Sequence, residues 1–383
     1  MRCIVRQSIK KTTVVIDKRP VGHSRVGVTL TALASLICLS PQAHASWAVI
    51  NLHPAGAAFS AALGVQGGQQ AGTAIIGGIQ RAVYWSGSPG SWVDLHPAGA
   101  SFSEALGVES GQQVGRANVG GADHASLWSS SASSWVDLHP SGASQSWAWG
   151  IGGGQQVGWA YISGSPHASL WTGSAGSWVD LHPAGTTESY AYDADAGQQV
   201  GRSLVGGVYR ASLWTGSAGS WVDLHPAGAY QSEAWGVHAG QQVGTAVIGS
   251  SWHASLWSGT AGSWVDLHPA GVSESFAWAA YGGKQVGQVM VGGAWHAGFW
   301  NGSASSFVDL HQFLPVGFSF SDARGIWESG GVTYVVGYGI NTVTGQTEAL
   351  MWITDVVPEP GSRLVLGAGL AALALRRKPA KSR

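Results

Sequence analysis

Ser91-Trp92-Val93-Asp94-Leu95-His96-Pro97-Ala98-Gly99 is the stretch that decides the fold. Its Leu-His-Pro core, or a degenerate form of it, begins at Leu52, Leu95, Leu138, Leu181, Leu224, Leu267 and Leu310, each 43 residues after the one before. A Trp closes each copy at the same spacing, at Trp85, Trp128, Trp171, Trp214, Trp257 and Trp300, and the seventh, Trp352, follows after 52. The last copy is therefore longer, and Gln312-Phe313-Leu314 replaces its Pro-Ala-Gly. A strict period of this size is the signature of repeat architecture.

Within the second copy four β-prone runs, 91–96, 103–108, 112–118 and 124–128, are separated by Pro97 and Gly99, by Gly111, and by the tight-hairpin pair Gly120-Gly121. Alternation puts Val93 and Leu95 on one face of the first run and Trp92, Asp94 and His96 on the other. Both faces thus carry large apolar surface, as in a small sheet packed between two neighbours. Four short strands per unit and seven units predict an all-β fold: a seven-bladed β-propeller of four-stranded antiparallel blades. A parallel β-solenoid is the alternative. An open solenoid needs polar end caps, whereas the first copy, with Trp47 to Pro54 and Tyr84-Trp85, is as apolar as the middle ones. A ring has no ends to cap.

Among the 383 residues are 58 Gly and 21 Trp, and only 10% are charged, against a typical quarter. Residues 46–357 hold six basic and 18 acidic side chains, so a nucleic-acid backbone would be repelled, and no basic stripe overcomes that. Both cysteines, Cys3 and Cys38, lie near the N-terminus, which leaves the repeats without a disulfide, a thiol nucleophile or a thiolate metal site. Three regions are expected: a signal peptide with a long basic leader over 1–45, the repeat domain over 46–356, and a sorting or anchor segment over 357–383.

Residues 26–40 form an apolar run of signal-peptide length behind a basic stretch, followed by Ala43-His44-Ala45, the small-x-small pattern of a cleavage site. Export with cleavage by signal peptidase after Ala45 is expected. At the other end, Pro358-Glu359-Pro360 precedes an apolar run from Leu364 to Leu375 and the basic cluster Arg376-Arg377-Lys378. Twelve residues of helix would span about 18 Å, too short for a stable membrane crossing but enough for transient anchoring. This arrangement resembles the PEP-CTERM sorting signal of Gram-negative bacteria. The resemblance implies processing by an exosortase and delivery to the outer cell surface or the extracellular matrix, commonly in makers of exopolysaccharide.

The repeats resemble those of HAF-repeat extracellular proteins. His124-Ala125-Ser126-Leu127-Trp128, His167-Ala168-Ser169-Leu170-Trp171 and His253-Ala254-Ser255-Leu256-Trp257 carry the likeness, together with Gly111-Gln112-Gln113-Val114-Gly115. Arg81, Arg210 and Glu348 stand where that family has His. The resemblance implies surface exposure and no reaction.

Asp-x-His pairs recur at Asp94/His96, Asp137/His139, Asp180/His182, Asp223/His225, Asp266/His268 and Asp309/His311. Two residues apart on a strand they share a face and would suit a metal. A pair in every unit is better explained as a hydrogen-bonded clasp, since Asn51 replaces Asp in the first copy and can still accept a hydrogen bond while being a poorer metal ligand. Asp193-Ala194-Asp195-Ala196-Gly197 alternates carboxylates like a calcium loop but lacks a later acidic ligand and is read as a polar turn. No metal site and no cofactor are expected, and no catalytic motif stands out.

Differences between copies are more informative than what they share. Just before the last strand of each unit stand Gln80, Asp123, Pro166, Tyr209, Trp252, Trp295 and Thr347. Tyr209, Trp252 and Trp295 would form an arc on one rim, near Arg202, where aromatic faces would stack on sugar rings. The expectation is an exported structural or binding protein of the surface or matrix, taking exopolysaccharide as its partner. A secreted carbohydrate-active enzyme on the same scaffold and a self-assembling surface-layer protein are the alternatives.

Overall fold

The computed structural model describes residues 47–354. These form seven four-stranded antiparallel sheets. Blade 1 is built from Phe59–Gln66, Gln69–Ile76, Ile79–Trp85 and Val93–Asp94, in that order from the inside outwards. The innermost strands of successive blades touch, and the seventh touches the first, so the sheets close into a ring around a central channel. The fold is the seven-bladed propeller and not the solenoid.

One detail corrects the reading of the repeat. The Trp-Val-Asp run of each copy is the outermost strand of the preceding blade: Val93–Asp94 pairs with Ile79–Trp85, not with Ser103–Glu109. It is also shorter than the six residues expected, because Pro89–Ser91 forms a 3-10 turn ahead of it. Each 43-residue copy therefore straddles two blades. In the last blade, Phe318–Ser329, Val332–Asn341 and Gln346–Thr354 are completed by the first described strand, Trp47–Asn51. The chain thus seals its ring by pairing its beginning with its end.

The hairpin at Gly120-Gly121 has φ of +61° and +89°, the positive values that a two-residue turn matched to strand twist requires and that glycine adopts without a Cβ penalty. The core lies between blades. Trp128 of blade 2 is fully buried and packs with Ala71, Ala82 and Leu95, whose small side chains leave room for the indole. All seven closing Trp residues have no solvent exposure. Burying an indole removes roughly 200 Å² from water, on the order of 5 kcal/mol before entropic costs. Seven such wedges stabilise a body that has no disulfide to help it.

Candidate functional site

Each innermost strand carries a one-residue bulge, where the register skips between Ala62 and Gly64 in blade 1 and at the equivalent place in every other blade. A bulged residue has no cross-strand partner, and its side chain is re-aimed. The seven bulged residues are Leu63, Leu106, Trp149, Tyr192, Trp235, Trp278 and Arg324, and all of them line one cavity of about 310 Å³ in the channel. Four consecutive blades thus supply aromatic rings. Tyr192 and Trp235 stack at 4.1 Å between centroids, Trp149 meets Tyr192 edge-on at 5.7 Å, and Trp235 meets Trp278 edge-on at 5.2 Å. The Arg324 guanidinium lies 4.5 Å from the centre of Trp278, with its Nε 2.6 Å from the buried Asp322 carboxylate.

Towards the mouth where the inner strands end, this cavity is bordered by Glu109, Asp193 and Asp195 on blades 2 and 4, and by His238, Tyr281 and Trp327 on blades 5 to 7. Asp193 stands where the other blades have Gly64, Gly107, Gly150, Gly236, Ala279 and Gly325. Its carboxylate accepts the Val237 N–H at 3.0 Å, and Asp195 accepts the Ala239 N–H at 2.7 Å, both from blade 5. Loss of surrounding water pushes the Asp193 carboxyl up to about 7; its backbone hydrogen bonds oppose that rise, and Asp195 and Glu109 add to it. His238 stacks on Tyr281 at 4.1 Å. The run weighed as a calcium loop therefore ends an inner strand, with its turn at Ala196-Gly197. Among the described residues no group of three or more His, Cys, Asp or Glu side chains converges as a metal site would require.

The opposite mouth, where the inner strands begin, holds the residues singled out from the sequence. Arg202 lies over Tyr209, 4.1 Å from its ring centre, and over Tyr190 at 4.8 Å, while its Nη1 pairs with Glu233 of blade 5 at 2.6 Å. The Tyr209 hydroxyl donates to Glu188 at 2.7 Å, and burial followed by that bond raises the phenol above its ordinary pKa. Trp252 and Trp295 belong to a second group. They meet the same ring, Phe276, at 5.6 and 5.4 Å. All three of these predicted aromatics are half-buried. Trp147 and Trp159 of blade 3 stack at 5.5 Å and extend the aromatic surface, with Arg116 3.6 Å over Trp147. Tyr230, in the loop entering blade 5, is 75% exposed at this mouth. Beside these rings a cavity of about 430 Å³ opens among blades 7, 1 and 2, lined by Phe59, Gln80, Tyr338 and Thr347 among others.

The Asp-x-His pairs lie away from the channel, on the connections between blades. Asp137 accepts the backbone N–H of His139 at 2.8 Å and the Nδ1 of His124 at 2.8 Å, and the two imidazoles stack at 4.0 Å. Asp180/His182, Asp266/His268 and Asp309/His311 are arranged likewise with His167, His253 and His296, whereas Arg81 and Arg210 take that place beside Asp94/His96 and Asp223/His225. In the last blade Glu348 receives the Asn51 side chain at 2.7 Å. All six Lys and Arg side chains of the described residues are ion-paired: Arg81–Asp94, Arg116–Glu104 with Asp123, Arg202–Glu233, Arg210–Asp223, Lys284–Glu328 and Arg324–Asp322. Ala43, Ala45 and Pro358-Glu359-Pro360 lie outside the described residues.

The sequence reading missed the channel residues Trp149, Tyr192, Trp235, Trp278 and Asp193. Their signal was present. Reading down the seven-fold column that starts at Leu63 shows Leu, Leu, Trp, Tyr, Trp, Trp and Arg, the same break in repetition that singled out Tyr209, Trp252 and Trp295. What the column lacked was a reason to face the channel, which the bulge supplies.

Residues 356–378 match the model of the PEP-CTERM protein-sorting motif. The chain carries a PEP-CTERM sorting signal. That signal marks an exported, cell-surface protein and implies processing by an exosortase. No curated protein matches the chain. Among solved structures, the PEP-CTERM chain is similar to a puromycin hydrolase mutant complexed with PGG, at 13% identity and a TM-score of 0.51 over 78% of this chain and 55% of that one. It is also similar to oligogalacturonate lyase in complex with manganese, at 10% identity and a TM-score of 0.50 over 82% and 95%. The β-propeller domain of the Trilobed protease from Pyrococcus furiosus aligns at 9% identity and a TM-score of 0.49 over 77% and 95%. The chain spans about half the length of the puromycin hydrolase. Likeness at such identities shows the propeller fold alone.

Proposed function

We propose that this PEP-CTERM protein is a structural and binding module of the outer cell surface or extracellular matrix, whose propeller holds a neutral polysaccharide at the mouth where the inner strands begin. In this reading signal peptidase removes the leader after Ala45, the tail anchors the chain transiently until exosortase acts, and the repeats are of the HAF type. The producing cell is Gram-negative and surrounded by exopolysaccharide.

One observation supports the binding site: at that mouth aromatic residues break the seven-fold symmetry over four consecutive blades. Blades 3 to 6 present Trp147, Trp159, Tyr190, Tyr209, Trp252, Phe276 and Trp295, where blades 1 and 2 have Ala61, Thr73, Gln80, Glu104, Arg116 and Asp123 at the equivalent positions. The blades without these rings close equally well, so the fold does not require them. Half-buried rings offer flat apolar surface to the C–H face of a sugar, and ion-paired Arg116 and Arg202 pack against Trp147 and Tyr209. The test is retention on polysaccharide from the cell's own matrix. Changing Tyr209, Trp252 and Trp295 together to Ala is expected to weaken retention at least tenfold with the thermal midpoint still cooperative, and no new reducing ends should form. Unchanged retention overturns the reading, and new reducing ends would favour a carbohydrate-active enzyme.

A further inference from the structure

The other mouth of the channel calls for a different ligand. Glu109, Asp193 and Asp195 border a cavity of about 310 Å³, and none of them meets a Lys or Arg, since every such side chain among the described residues is already ion-paired. One guanidinium reaches this cavity, that of Arg324, and its charge is balanced by Asp322 at 2.6 Å. The nearest other base is His238, whose Nδ1 lies 3.8 Å from the Asp195 carboxylate; one imidazole beside three carboxylates leaves the cavity with more acids than bases. Its walls are aromatic, with Trp149, Tyr192, Trp235 and Trp278 behind the carboxylates.

Each carboxylate has a backbone partner on the next blade, from Val237, from Ala239 and, at 3.4 Å, from Gly154. Those N–H groups hold the acids in place without cancelling their charge. A bare divalent ion needs six or more oxygens brought to one point, and the side chains do not converge in that way. An organic ammonium asks for something else: a carboxylate, and aromatic faces within about 6 Å to which its diffuse charge is attracted. The volume lies at the lower end of small-molecule sites, of order 300 Å³.

We propose that this end of the channel is a binding site for a small ligand bearing an organic ammonium group, of hexosamine size, with Asp193 as the principal counter-charge and Asp195 and Glu109 as its support. Asp193 departs from the repeat at this point, because five of the other six blades pass it with glycine. The site is at the opposite end of the channel from the aromatic mouth, so its failure leaves the polysaccharide reading untouched.

The experiment is calorimetric titration of the exported protein at pH 7.5 with glucosamine, N-methylglucosamine, N-acetylglucosamine and glucose. The two amines should bind at least tenfold more tightly than the two neutral sugars. Asp193→Gly, which gives blade 4 the residue of its neighbours, and Asp193→Asn should each abolish that preference while thermal unfolding stays cooperative. Equal affinity for all four sugars, binding of none, or a preference that survives both substitutions overturns the proposal. Stoichiometric uptake of calcium with displacement of the amines overturns it in favour of a metal site.

Discussion

At the scale of single residues, the connection between blades rests on one serine and one imidazole. His139 Nε2 lies 3.0 Å from the Ala143 carbonyl, which can only accept, so Nε2 carries the proton and Nδ1 must accept from Ser146 Oγ at 2.8 Å. The same Oγ, fully buried, accepts the Ala125 N–H of the preceding blade at 2.9 Å. Removing this hydroxyl orphans a buried amide and a half-buried ring nitrogen at once. Ser146→Ala is therefore expected to cost about 1–3 kcal/mol, read as a lower denaturant midpoint with an unchanged slope. A substitution at exposed Ser144 should change it by no more than about 0.5 kcal/mol.

At the scale of the element, the decisive strand is Trp47–Asn51. It lies outermost in the last blade, paired along its length with Gln346–Thr354, and its end is fastened by Asn51 to Glu348, which is 2% exposed and also receives Asn341 and Thr344. The other blades place an acid opposite a base here. This blade has the acid on the inner partner, which is why an amide and not a carboxylate stands at position 51. Asn51→Asp would set a second carboxylate from the exposed strand end against the buried Glu348, and a loss of about 1–3 kcal/mol is expected. Adding Glu348→His should recover part of it, and a double-mutant cycle measures the coupling. Without the whole strand the edge of Gln346–Thr354 would be open to pairing with other chains.

At the scale of the whole molecule, six imidazoles are shifted in the same direction. His96, His139, His182, His225, His268 and His311 are each lowered from the ordinary histidine value, chiefly by burial, with a neighbouring cation or histidine adding to it. In the window between their folded values and about 6.5 the unfolded chain binds more protons, so stability rises with pH there and is lost as pH falls through 6.5. Asp193 and Asp322 act in the opposite sense, because burial raises both carboxyls when folded, Asp193 to about 7, but they are two groups against six. Thermal midpoints should therefore change little from pH 7.5 to about pH 6.5 and fall from there to pH 5. A flat profile over that range would show that the clasps accept protonation without loss.

Much of this was legible before any fold was seen, because the signals are local. A period of 43, β-prone runs of fixed length, and glycine pairs at the turns act over a few residues, and they determined strand number, hairpin positions and the count of seven. The address at the C-terminus is likewise a linear signal. Which strand joins which blade was not local. Trp92-Val93-Asp94 is as good a strand before Ser103 as after Trp85, and only closing the ring, which completes the last blade with Trp47–Asn51, chooses between them. The channel site was hidden for a related reason: alternation alone assigns each side chain a face, and a bulge overrules alternation at one residue per blade. The sequence by itself determined a ring of seven like units. Only the tertiary structure decided what that ring surrounds, because the packing of seven inner strands around one axis brings Trp149, Asp193 and Arg324 to a shared space that no pair of neighbouring residues encodes.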